Sequence, residues 1–101
     1  MMMYESTFRF GSKQAAQQFA GDASGFSGGA TLTETEGYWV NGGLTVESGA
    51  QVAIVHHGGG RSAAMFRLAR QAAHDFGESR VLHTIHEVAS GMLDAHDYTG
   101  G

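Results

Sequence analysis

A chain of 101 residues, 42% hydrophobic and 16% charged, is sized for one domain around one modest core and is too apolar to remain disordered. The absence of cysteine excludes disulfides, thiolate zinc sites and a cysteine nucleophile, while a net charge of -4 with 6 Lys+Arg leaves no basic stripe for direct nucleic-acid binding. No apolar run reaches the roughly 18 residues that span a bilayer, and MMMYESTFRF lacks the basic start of a secretory signal, so a cytoplasmic location is expected.

YESTFRF (4–10) alternates toward Phe8 and Phe10 and meets Gly11, which predicts a strand. Ser12 is placed to cap a helix over KQAAQQFA (13–20), whose Ala15, Ala16, Phe19 and Ala20 share a face, with Gly21 as its stop. DASGFSGG (22–29) reads as a loop. ATLTETE (30–36) is β-branched and alternating, and Gly37 turns it into YWV (38–40). Asn41-Gly42-Gly43 is a tight turn, because these residues tolerate positive φ. LTVE (44–47), a turn at Ser48-Gly49 and AQVAIVH (50–56) complete an antiparallel meander. The last of these strands has the densest aliphatic run and is expected at the centre.

Beyond Gly58-Gly59-Gly60, Ser62 reads as the cap of a helix from Ala63 to Phe76, with Met65, Leu68, Ala69, Ala72 and Phe76 as its apolar stripe and Gly77 as its end. RVLHTIHEVASGML (80–93) fits either a strand or a helix; its β-branched content and the short gap after Gly77 favour the strand. The tail, about 94–101, is expected to fray, leaving an ordered core of about 4–88 in a single domain, 1–101. This order predicts an α+β fold. An antiparallel sheet of four to five strands carries two helices on one face, on the ferredoxin-like split βαβ plan.

GGATLTETEGYW (28–39), followed by an aliphatic strand and then LARQAAHDFGESRVL (68–82), resembles small proteins encoded by phages and prophages. The resemblance covers about residues 28 to 88 and rests on turns and core positions. It implies a ferredoxin-like fold and a phage-type inhibitor of host defence, of which anti-CRISPR proteins are examples. It assigns no function to any particular residue.

Several residue groups have the chemistry for a site. His57-Gly58-Gly59-Gly60 and Gly25-Phe26-Ser27-Gly28-Gly29 match esterase motifs in letters only. A nucleophile elbow needs a strand before its serine and a helix after it, and here the order is reversed. Gly58, Gly59, Gly60, Arg61 and Ser62 form a candidate anion loop, since backbone N–H groups beside an arginine suit a phosphate or carboxylate. As a helix, 80–94 would bring His83, His86 and Glu87 to one face as metal ligands; as a strand it separates the two histidines. Glu34 and Glu36 share a strand face, Glu47 lies across the hairpin, and Tyr38 and Trp39 adjoin them. That acidic and aromatic hairpin is the expected protein-binding surface.

The leading expectation is a non-enzymatic protein that occludes a basic surface of a host protein or ribonucleoprotein complex in the host cytoplasm, needing no cofactor. The alternative is a ferredoxin-like small-ligand or metal-binding module, monomeric or homodimeric, that uses the 56–62 glycine loop.

Overall fold

In the computed structural model the elements run β1 (Met3–Phe10), α1 (Lys13–Ser27), β2 (Thr31–Val40), β3 (Leu44–His57), α2 (Arg61–Asp75) and β4 (Leu82–Val88). The structure describes residues 3–27, 29–40, 43–57 and 61–88; the side chains at 26–27, 38–40, 44–47 and 61 lie outside that description. The tail 94–101 and the glycines 58–60 therefore fall outside the described residues.

The four strands form one antiparallel sheet in the order β2-β3-β1-β4. β3 lies between β1 and β2, and β1 lies between β3 and β4, so each helix connects strands that are separated by a third. This is the split βαβ plan stated twice. Alternation dictates which side chains meet the helices. Phe8 and Phe10 of β1 stand level with Val52 and Ala50 of β3, and all four are buried. Phe19 of α1 closes over them, its ring 4.7 Å from that of Phe8 and 5.5 Å from that of Phe10. Met65 and Ile54 complete the large core residues, and alanines at 15, 16, 23, 69, 72 and 73 let the helices approach closely. Asp75 ties the two helices at the surface, accepting from the amides of Gln18 at 2.8 Å and Gln71 at 2.7 Å.

The other face of the sheet carries Glu5, Thr7, Arg9, Gln51, Ala53, Val55, Leu82 and His86, and no helix among the described residues covers it. Val55 is 39% and Leu82 60% exposed.

Helix ends follow local chemistry. Ser12 Oγ accepts from the Ala15 N–H at 3.0 Å, the N-cap bond expected of it. At the end of α2, Gly77 has φ 74. Its N–H donates to the His74 carbonyl at 3.1 Å, and the Glu78 N–H reaches back to Ala73 at 2.8 Å. This is a Schellman cap. The Glu78 carboxylate then accepts from the Gly11 N–H, clamping the end of α2 to the β1–α1 corner.

Three boundaries differ from the sequence expectation. α1 runs through Gly21 to Ser27 because Ala23, one turn beyond Phe19, is fully buried. That contact outweighs the roughly 1 kcal/mol cost of a mid-helix glycine. The expected meander is one long hairpin. Gly37 pairs with Glu47 inside the ladder, and Ser48 and Gly49 pair with Glu36 and Thr35. Gly49 is a packing glycine, since a Cβ there would collide with the Phe10 carbonyl oxygen. α2 begins at Arg61, so Ser62 sits in its first turn and is not its cap. The segment after Gly77 is the strand that its β-branched content favoured, β4.

Candidate functional site

β1 sends Tyr4, Ser6, Phe8 and Phe10 toward the helices, and Ser6 is the polar interruption in that row. His56 of β3 stands opposite Tyr4, and His83 of β4 stands opposite Phe8. Ser6 is thus the diagonal neighbour of both, within reach of a ring on either side. The three side chains meet. Ser6 Oγ lies 2.8 Å from His56 Nε2 and 3.3 Å from His83 Nε2, while His56 Nδ1 lies 2.8 Å from the His57 carbonyl oxygen.

With neutral rings, the partners assign the protons. A carbonyl only accepts, so His56 carries its hydrogen on Nδ1, and its Nε2 accepts from the Ser6 hydroxyl. Ser6 Oγ in turn accepts from His83 Nε2–H. The relay runs in one direction, from His83 through Ser6 and His56 to the backbone at His57. Ser6 and His56 are buried, at 1% and 6% exposure, so the serine hydroxyl is paired to an imidazole but out of reach of any substrate.

His83 is the accessible end. Its ring packs 4.7 Å from Phe8 and meets Phe66 edge-on, also at 4.7 Å. Burial, and secondarily the neighbouring His56, holds its pKa below the ordinary 6.5, so the ring is neutral near pH 7. With Nε2 protonated, Nδ1 is an acceptor. Phe8, Phe66, Ala69, Arg70, Val81 and His83 line a cavity of about 250 Å³ between α2 and the β1–β4 pair. That is below the roughly 300–1,000 Å³ of a pocket for a whole drug-sized ligand. It suits one ring or a short chain.

A larger cleft of about 630 Å³ lies where α1 begins, lined by Lys13, Glu34, Glu36 and Ser48 among others. Its one basic side chain is already paired: Lys13 Nζ is 2.7 Å from Glu34. The same contact, by hydrogen bond and by charge, holds the Glu34 carboxyl below its ordinary 4.5.

The residues expected from sequence are partly assembled. Glu34 and Glu36 do share a face of β2, both exposed. Glu47 stands opposite Gly37, one residue out of step with them, and Tyr38 and Trp39 pair with Val46 and Thr45. The side chains of Tyr38, Trp39 and Glu47 lie outside the described residues. So do Gly58, Gly59, Gly60 and the Arg61 side chain of the anion loop; Ser62 is half-buried. Because 82–88 is a strand, His83 and His86 point to opposite faces, and His86 instead lies 3.5 Å from Glu5. The helical metal set is thereby dissolved, and no group of three or more metal-ligating side chains occurs among the described residues. Ser27 ends a helix ahead of a strand, the reverse of an esterase elbow. The Ser6 relay itself escaped sequence reading. Its signal was a serine at an inward position of an otherwise aromatic strand face.

No helix among the described residues is long and apolar enough to cross a membrane. No family model and no curated protein matches the chain. Solved structures do. A DUF3240-family protein from Shewanella baltica aligns with a TM-score of 0.66 at 12% identity, covering 90% of this chain and 97% of that one. A phage SAM lyase in its apo state gives 0.59 at 18%, over 85% and 81%. The periplasmic divalent cation tolerance protein CutA from Archaeoglobus fulgidus gives 0.55 at 9%, over 94% and 90%. At these identities the likeness establishes architecture, and this chain has the α+β, ferredoxin-like fold of CutA.

Proposed function

We propose that the protein is a non-enzymatic small-ligand module, and that its ligand inserts one planar group beside His83. The observation that carries this reading is the one-way relay His83–Ser6–His56. It orients a neutral imidazole at the edge of an aromatic cavity and leaves Nδ1 as an acceptor. Phe66 supplies an aromatic wall against which a ring packs, and Arg70 at the rim favours an anionic substituent. Ser6 is too deeply buried to act as a nucleophile, which supports binding without turnover. The fold neighbours named for divalent cation tolerance and for SAM suggest the first probes. Use of the 34–47 hairpin to cover a basic surface is the weaker reading, because Lys13 already pairs with Glu34.

The test is an NMR titration of the histidine ring signals with SAM, AMP, inorganic phosphate and zinc in turn. SAM or AMP is expected to move the His83 signals and raise the melting temperature, and Phe66→Ala is expected to weaken both effects. A panel that leaves His83 unmoved overturns the proposal, and consumption of SAM overturns its non-enzymatic part.

A further inference from the structure

Among the described residues, β4 pairs only with β1 and forms one edge of the sheet. A monomer normally protects such an edge with charge, a bulge or shortness. β4 is the shortest of the four strands and carries Glu87, yet it also presents apolar side chains: Leu82 is 60% and Ile85 49% exposed. Its sequence, LHTIHEV, is also self-complementary when read against itself in the opposite direction about Ile85. Leu82 then faces Val88 of a second copy, His83 faces Glu87, Thr84 faces His86, and Ile85 faces itself. Apolar meets apolar at the ends and the centre, and each His83 meets a carboxylate. Shifting the centre by one residue to His86 places Ile85 against Glu87 and loses this match.

The opposite edge behaves differently. β2 reads TLTETEGYWV, and an antiparallel self-pairing centred on Thr35 sets Glu34 against Glu36. Like charges directly opposite one another destabilise a pair. Pairing β2 with β4 of another copy is heterologous, and it continues into rings or fibres instead of closing at two.

We propose that the protein dimerises through β4 about a two-fold axis at Ile85, forming a continuous eight-stranded antiparallel sheet with all four helices on one side. In that dimer Glu87 of the second copy stands beside His83, the open end of the relay, so each copy contributes a carboxylate to the other's cavity mouth.

Because the chain has no cysteine, a single introduced thiol reports the register. Directly opposed residues have Cα atoms about 4.5–5.5 Å apart, within disulfide range. Ile85→Cys treated with oxidised glutathione is therefore expected to convert to a disulfide-linked dimer. Leu82→Cys is the control: it starts from the more exposed residue, yet its own counterpart would lie six residues along, about 20 Å away. Light scattering on the unmodified protein should return twice the chain mass, and Ile85→Lys, which sets like charges on the axis, should return the single-chain mass with unchanged circular dichroism. Equal cross-linking at 82 and 85, a monomeric or trimeric mass for the unmodified protein, or a dimer that survives Ile85→Lys each overturns the proposal. None of these readouts depends on a ligand.

Discussion

Ser6→Ala tests the relay most directly, because it removes one oxygen and leaves a methyl group in nearly the same space. No cavity forms, so the cost comes from hydrogen bonding. His56 Nε2 loses its donor at 2.8 Å in a residue only 6% exposed, where water cannot substitute. A buried polar atom left unpaired costs about 1–3 kcal/mol. His83 also loses its acceptor, but that bond is long, at 3.3 Å, and the ring is partly open to solvent, so it adds little. The expected loss is about 2 kcal/mol, which lowers the melting temperature of a domain of this size by roughly 8–16 °C. Differential scanning calorimetry at pH 7.5 measures it. Combining Ser6→Ala with His56→Leu should recover part of the loss, since replacing both partners by apolar groups removes the unpaired atom. A Ser6→Ala protein that melts within about 2 °C of the parent refutes the reasoning. So would a double variant less stable than either single change.

The remaining predictions concern three other features. Gly49→Ala places a Cβ against the Phe10 carbonyl, on backbone that cannot rotate away; urea denaturation should show a loss of about 1–3 kcal/mol. His83, with its folded pKa below the ordinary 6.5, binds its proton more readily in the unfolded chain. Stability is therefore full above pH 6.5 and falls as pH drops from 6.5 through the folded pKa, and His83→Gln should flatten that part of a pH–stability curve. Lys13→Ala should return the Glu34 carboxyl upward toward its ordinary 4.5, read as a rightward shift of its NMR titration midpoint.

The parts of the fold that sequence made legible are those decided by neighbours in the chain. The inward row of β1, the stripe on α2 from Met65 to Ala72, the Ser12 cap and the Gly77 stop each depend on a few adjacent residues, whereas Phe76, expected in that stripe, lies beyond the helix and is exposed. The misread glycines depend on distant ones. Gly37 and Gly49 carry the local signature of turns, but Gly49 is required because the Phe10 carbonyl approaches it from another strand. Gly21 resembles a helix stop until Ala23 is seen to be buried against the sheet. The site shows the same division. A serine among inward aromatics is visible in YESTFRF, whereas its two histidine partners lie 50 and 77 residues away and are brought to it only by strand register.

The position of β1 has a consequence for how the chain acquires its structure. Of the four described strands, β1 comes first in the chain yet occupies an interior place in the sheet, and its two neighbours come late: Met3 pairs with His57 on one side and Val88 on the other. The hairpin of β2 and β3 can form early from nearby residues, but β1 has no complete set of partners until residue 88 is available. Folding must close long loops before it is rewarded with long-range pairing, which is the signature of a slow folder for its size. During translation β1, with Phe8 and Phe10, waits for β4.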